Sequence, residues 1–177
     1  MINVREYAKA LFLVTEEAGK TDSVLADLEL AVAAFAENPE YKTLLDTPAL
    51  SREERLGLID SAFSEIDESL KNLIKILCER HSVYQLERVS REFLAIYDES
   101  RGIERVEAVS AVPLTDEQIE KMKAKLEALT GKTVYIKNEI DREILGGIKL
   151  RYSGIQLDGS IKTRLLSFEK QLKGAVI

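Results

Sequence analysis

Residues able to carry chemistry are few in this 177-residue chain, and they stand alone. His81 is the one histidine and Cys78 the one cysteine. General acid–base or nucleophilic catalysis needs a second group held against the first, and a structural metal needs Cys or His ligands at short spacing. Neither pattern occurs. A single cysteine also excludes an intrachain disulfide, so the role expected of Cys78 is packing. His81 falls at the end of a predicted helix, where a protonated ring complements the negative end of the helix dipole. The run Gly154-Ile-Gln-Leu-Asp-Gly159-Ser160 spaces two glycines as a phosphate-binding loop does. That loop requires lysine directly after the second glycine, whereas Ser160 stands there and Lys162 follows two residues late, so the segment reads as a turn. Neither an enzyme activity nor a cofactor is expected.

The elements that surround these residues are mostly helical at first. Asn3 and Glu6 stand at capping-box spacing and open a helix running to about Ala18, with Gly19 ending it. Thr21 or Asp22 starts a second, apolar at Val24, Leu25, Leu28, Val32 and Phe35. Asn38 puts a capping side chain before Pro39, so a short third helix follows around Tyr41 to Leu45. Ser51 with Glu54 opens a fourth, a fifth spans about Glu68 to Arg80, and Ser82 with Gln85 caps a sixth reaching about Glu99. Six helices on short connections imply a bundle, and Ser100-Arg101-Gly102 ends the pattern.

Beyond it, Ile103 to Val112 is rich in valine with charges between apolar positions, which reads as a strand closed by Pro113. Thr115 and Gln118 cap a helix ending at Gly131, and Lys132 to Ile140 is extended again. Gly146 and Gly147 allow a sharp turn into a strand from Ile148 to Tyr152, and Ser153-Gly154 fits a two-residue hairpin turn. Asp158-Gly159-Ser160 then precedes a closing helix, with Ile161, Leu165, Phe168 and Leu172 at helical spacing. The expected fold class is a two-domain α+β chain. A six-helix bundle occupies residues 1–101, and a small C-terminal domain of β-strands with helices occupies residues 102–177.

Charge separates the two parts. The whole chain carries 25 basic and 31 acidic side chains, net −6, which disfavours nucleic acid and anionic membrane surfaces as partners. Residues 1–101 hold 12 basic and 20 acidic side chains, net −8, and residues 102–177 hold 13 and 11, net +2. No apolar run approaches the roughly 18 to 20 residues that span a bilayer, and Arg5, Glu6 and Lys9 interrupt any signal-peptide pattern. A soluble, untargeted protein is expected. Its apolar fraction of 45% is ample for real cores.

Two helices carry more apolar surface than one buried stripe needs. At about 100° per residue, Val14, Tyr7, Ala18, Leu11, Val4, Thr15, Ala8 and Phe12 fill an arc of roughly 160° on the first helix. On the fifth, Ile76, Leu73, Leu77, Leu70, Ile74 and Cys78 cover roughly 200° by the same count. Helical geometry alone allows both arcs to be covered by the chain's own neighbours, and it favours core for Leu11 and Leu77.

The segment from Val134 to Leu172 narrows the choice. Val134 and Ile136, Ile140-Asp141, Ile144, Gly146-Gly147-Ile148, Leu150-Arg151, Ser153, Asp158-Gly159-Ser160 and Arg164-Leu165 resemble, without a departure, the signature of the delta subunit of F-type ATP synthases. The mitochondrial relative of that family is the oligomycin-sensitivity-conferring protein. Tyr7-Ala8-Lys9-Ala10-Leu11-Phe12 resembles the family's opening helix, so the similarity is anchored near both ends.

The resemblance implies a non-catalytic connector between the catalytic alpha/beta head and the peripheral stalk, holding the head still while proton-driven rotation makes ATP. It implies that the first and fifth helices form a groove for an amphipathic helix from the N-terminus of the alpha subunit. Tyr7, Ala8, Leu11, Ile74 and Leu77 are the residues expected to meet that helix. Tyr7 is the chief anchor, and its truncation to alanine is expected to weaken binding with little effect on folding. Arg151, Lys162 and Arg164, with Lys170 and Lys173, form a basic face expected to meet the b-subunit dimer of the stalk, unless that face is merely solvated. One copy per complex, at the cytoplasmic face of the bacterial cell membrane and touching it only through the complex, completes the expectation. The alternative is an RNA-binding helical-bundle regulator of the antitermination type, which the net −8 of residues 1–101 opposes.

Overall fold

A computed structural model describes residues 3–47, 49–144, 146–152 and 155–158, the last four by their backbone alone. The chain divides into two compact units, Met1–Tyr97 and Asp98–Ile177. In the first, the described residues form α1 (Val4–Glu17), α2 (Thr21–Glu37), α3 (Pro39–Asp46), α4 (Arg52–Ala62) and α5 (Glu68–Glu79). A 3-10 turn over Val83–Gln85 then leads into α6 (Leu86–Arg101), which crosses the division between the units. The sequence puts that boundary at the end of the helix. In the structure the compact units divide a turn earlier, after Tyr97, and Asp98 pairs with Arg105 of the following strand at 2.7 Å.

Local chemistry sets most of the helix ends. Ser51 accepts from the N–H of Glu54 while Glu54 accepts from the N–H of Ser51, a complete capping box. Asp67 accepts from the N–H of Ser69 at the start of α5. Three expected caps are not made. Asn3 offers α1 only its backbone. Asn38 turns back and donates to the Ala34 carbonyl at 2.9 Å, closing α2 instead of opening α3. Ser82 donates to the Arg80 carbonyl, and the chain winds through the 3-10 turn, with Val83 and Gln85 buried, before α6 starts.

Helices α1 and α5 end alike. Lys20 N–H reaches the Thr15 carbonyl at 2.8 Å and Gly19 N–H the Glu16 carbonyl at 3.1 Å; Ser82 N–H reaches Leu77 at 2.8 Å and His81 N–H reaches Cys78 at 3.0 Å. Both are Schellman closures, which need a left-handed residue just past the helix. Gly19 fills that place at φ 66°, and His81 fills it at φ 49°.

One hydrophobic core serves the first unit. Ala8, Leu11 and Phe12 of α1 meet Val24, Leu28 and Phe35 of α2, Leu45 of α3, Ile59 of α4, Leu70, Ile74 and Leu77 of α5, and Val89 and Phe93 of α6. Phe12 and Phe93 pack edge to face with ring centroids 5.9 Å apart. Tyr97 ties α6 to α2 by donating to Asp22 at 2.8 Å.

The second unit holds a mixed sheet of β1 (Ile103–Ser110), β2 (Thr133–Ile140), β3 (Ile148–Tyr152) and β4 (Ile155–Asp158), in the order β2-β1-β3-β4. Strands β1 and β2 run parallel, joined through α7 (Asp116–Thr130), while β3 is antiparallel to both β1 and β4. Thr115 and Gln118 form a second capping box at the start of α7, and Gly131 closes it in the left-handed conformation. Gly146 and Gly147 both take positive φ ahead of β3. Strand β1 ends two residues before the expected Val112, since Ser110 turns to donate to the Val112 carbonyl and Val112 is exposed. Helix α7 covers one face of the sheet, where Leu126 and Met122 meet Val106, Val134, Ile136 and Leu150. The turn expected at Ser153-Gly154 and the helix expected after Ser160 lie outside the described residues.

Candidate functional site

The two residues first considered for chemistry are kept apart by the helix that bears them. Cys78 faces the core at 1% exposure, its sulfur 4.0 Å from the Leu45 carbonyl. Burial pushes its thiol up, with Arg55 opposing that only in part. His81 lies past the helix end, largely exposed, its Nδ1 3.5 Å from Asp46. Among the described residues, no group of three or more His, Cys, Asp or Glu is placed to hold a metal ion.

What the first unit does present is an open groove of about 380 Å³ between α1 and α5. Tyr7, Ala10, Leu11 and Val14 form one wall; Ser69, Asn72, Leu73 and Ile76 form the other. Each set follows i, i+3, i+4, i+7 spacing, so each wall is one stripe of its helix, about 10 Å long at 1.5 Å per residue. The stripes lie roughly 90° to 120° around each helix from the centre of its buried face, by the same helical geometry. Leu11 and Leu73 form the floor, at 5% and 6% exposure, and Val14 and Ile76 stand open at 52% and 42%. Tyr7 is half-buried, its ring lying on the core cluster.

Among the described residues no charged side chain lines the groove, and the charges of α5 are paired elsewhere. Lys71 pairs with Glu68 at 2.8 Å, Lys75 with Asp60 at 2.5 Å and Lys20 with Asp67 at 3.1 Å. Burial at Asp67 raises its carboxyl, but the Ser69 N–H and the Lys20 ammonium outweigh it and hold that carboxyl below the ordinary range. The groove is an apolar channel whose α5 wall carries two polar side chains, Ser69 and Asn72.

Only part of the expected contact set lies in it. Tyr7 and Leu11 line the groove, whereas Ala8, Ile74 and Leu77 are completely buried in the core and present no surface. Their helical angles lie at the centre of the apolar arc or beyond it, and it is the opposite edge that neighbouring helices leave uncovered. Ala10, Val14, Ser69, Asn72, Leu73 and Ile76 are the lining residues that the expected set omits. Val14 and Ile76 were legible as the outermost apolar members of their arcs. Ser69 and Asn72 carried no such signal, being polar.

A larger cavity, about 570 Å³, opens where α2 meets α3. Its walls are Glu37 to Tyr41 and Leu44, a single helix junction bearing two carboxylates, and it offers no channel between two helices. Tyr41, at its edge, has its hydroxyl pushed up to about 12 by burial and by neighbouring Cys78.

In the second unit, strand register sets Arg105 beside Tyr135, Glu107 between Lys137 and Arg151, and Val109 between Glu139 and Lys149. These residues share the face opposite α7. Arg151 is not a free cation there, since it pairs with Glu107 at 3.1 Å, and the Arg105 guanidinium lies 5.8 Å from the centre of the Tyr135 ring. Lys162 and Arg164 lie outside the described residues. Arg105, Lys137 and Lys149 stand on the same face as Arg151, together with Glu107 and Glu139, and only strand pairing reveals this.

Known proteins share this architecture and sequence. The family model described as ATP synthase delta (OSCP) subunit matches residues 4–172. ATP synthase subunit delta of Geobacillus sp. (strain WCH70) is 33% identical over 174 residues, covering 98% of each chain. That of Myxococcus xanthus (strain DK1622) is 33% identical over 180 residues, covering 98% of this chain and 99% of its own. A chain in the cryo-EM structure of the Toxoplasma gondii mitochondrial ATP synthase hexamer has the same fold, with a TM-score of 0.74 at 24% identity over 97% of this chain and 98% of that one. The RNA-regulator alternative finds no support in these similarities. A family match along nearly the whole length, with relatives above 30% identity, means that the chain belongs to the ATP synthase delta (OSCP) subunit family, non-catalytic components of the enzyme's peripheral stalk.

Proposed function

We propose that the α1/α5 groove receives an amphipathic helix from the N-terminus of the ATP synthase alpha subunit, and that the C-terminal unit meets the b-subunit dimer. The observation that carries this reading is the groove itself: two stripes of side chains at i, i+3, i+4, i+7, mostly apolar and left open by the described residues. Helix-in-groove recognition uses that spacing on both partners. On this reading residues 1–101 act as a six-helix bundle that grips the head. Residues 102–177 take the stalk through the face bearing Arg151, joined by Lys162 and Arg164. The chain works as one copy at the cytoplasmic face of the membrane, which it touches only through the complex. No helix among the described residues is long and apolar enough to cross a membrane.

The mechanism is mechanical. Rotation of the central shaft exerts a reaction torque on the alpha/beta ring, and ATP synthesis requires that ring to stay fixed. A tether of this kind needs slow dissociation. Nanomolar affinity corresponds to about −12 kcal/mol, within reach of a buried apolar helix with a few anchors. Tyr7, Leu11, Val14, Leu73 and Ile76 supply the anchors' counterparts here.

Titration of a labelled peptide from the alpha-subunit N-terminus tests the reading. Wild-type chain is expected to bind it and Tyr7→Ala to bind roughly tenfold less tightly, the range of an interface anchor. Equal affinities remove Tyr7 from the site. No binding to wild type removes the groove. Residues 1–101 are expected to retain the peptide, while loss of residues 102–177 is expected to abolish capture of the b subunits.

A further inference from the structure

We propose that Asn72 selects the register of the helix that enters the α1/α5 groove by demanding one hydrogen-bonding side chain at a fixed place on its apolar face. This rests on the reading of the groove as the alpha-subunit site. Apart from the Tyr7 hydroxyl, the α1 wall is apolar, and the α5 wall interrupts its own apolar stripe with Ser69 and Asn72, three residues apart and so on one face of the helix. The Ser69 N–H is engaged by the Asp67 carboxylate at 2.8 Å. Its hydroxyl serves the same carboxylate, whereas the Asn72 carboxamide has no hydrogen-bond partner among the described residues. Asn72 is exposed, so water serves it in the free chain.

An arriving helix removes that water. The carboxamide carries two donors and an acceptor, and a buried amide left unmatched lowers affinity by about tenfold. A purely apolar helix can slide by one turn in an apolar groove at little cost, because leucines at i and i+4 offer similar surfaces. A single amide penalises every register but the one that presents a partner, as a lone buried asparagine does in a coiled coil. Asn72 therefore gives up some apolar contact and in exchange admits one alignment. A stator needs that outcome, since a slipped helix would alter the length of the tether.

Full-length wild type and Asn72→Leu are compared, using as probe a synthetic peptide of the alpha-subunit N-terminus from the same ATP synthase. Each polar residue of the peptide is replaced in turn by leucine. For wild type, one replacement is expected to weaken binding about tenfold, and on Asn72→Leu the same replacement should be neutral or favourable. Register is read separately by disulfide formation between Val14→Cys and cysteines placed along the peptide; Cys78 is buried and does not compete. One peptide position should react roughly tenfold faster than those three or four residues away, and Asn72→Leu should bring that ratio near two. Leucine lies on an exposed helix face and is a good helix former, so the variant folds. An unchanged replacement profile and unchanged disulfide preference, with Tyr7→Ala still weakening the complex, overturn the proposal and leave the groove reading standing. A peptide that does not bind wild type overturns both.

Discussion

Ile74 and Ile76 stand two residues apart on α5, about 200° around the helix, and the same truncation at each should act on different quantities. Ile74 is fully buried in the core of the first unit. Its replacement by alanine leaves a cavity beneath α1 and α2 and should cost about 2 to 5 kcal/mol of folding stability, a large share of the roughly 5 to 15 a domain possesses. Ile76 is 42% exposed on the groove wall. Fully burying an isoleucine stabilises by about 1.5 to 3 kcal/mol, so covering the exposed part with an incoming helix contributes about 1 kcal/mol, or roughly fivefold in affinity. Alanine favours a helix at least as well as isoleucine, so Ile76→Ala should leave folding within about 0.5 kcal/mol. Urea unfolding followed by far-ultraviolet circular dichroism reads the first quantity, and calorimetric titration with the alpha-subunit peptide reads the second. Ile74→Ala should move the unfolding midpoint and spare affinity; Ile76→Ala should do the reverse. If both variants move only stability, the groove wall is core and the site lies elsewhere.

Three further outcomes follow from the same geometry. His81→Gly should stabilise the chain by about 0.5 to 1 kcal/mol, because relief of the left-handed conformation exceeds the entropy glycine adds to the unfolded chain and the exposed Asp46 pairing contributes little; an unchanged or lower melting temperature refutes this. Cys78 should resist thiol reagents in the native protein and react at the rate of unfolding, so rapid native labelling would mean that the α3/α5 contact is open. Asp67 has its folded carboxyl held below its ordinary 3.8. Its contribution is complete above that value and is lost as pH falls through the lower folded one, so Asp67→Asn should lose less stability than wild type on acidification below about pH 4. Identical acid slopes for the two proteins contradict that assignment.

Tyr7 shows why the binding surface was only half legible. Its ring lies partly on the core, so Tyr7→Ala is expected to cost some folding stability as well as affinity, where the helical wheel alone suggests an anchor free of the fold. A wheel reveals how wide an apolar arc is. It does not reveal which edge the remaining helices leave open, and that edge separates Val14 and Ile76 from Ala8, Ile74 and Leu77. Helix starts were readable where the capping side chain has one local option, as at Ser51 and Thr115. At Asn38 the start was right and only the capping bond was missing, while at Ser82 the helix began later, because both side chains found carbonyls behind them. In the second unit, alternation marked β1 and β2, yet the parallel pairing that aligns Lys137 with Glu107 is a long-range outcome with no trace in either strand. The glycines before β3 were plain because few other residues hold their backbone angles.

The central claim is that this chain holds the catalytic head against rotation and performs no chemistry. Membranes from the source organism, stripped of head and connector and then given purified head with or without this chain, test it directly. Proton-driven ATP synthesis is predicted to return only when the chain is added, while ATP hydrolysis by the free head is unaffected by it. Equal recovery of gradient-driven synthesis in both samples would contradict the account.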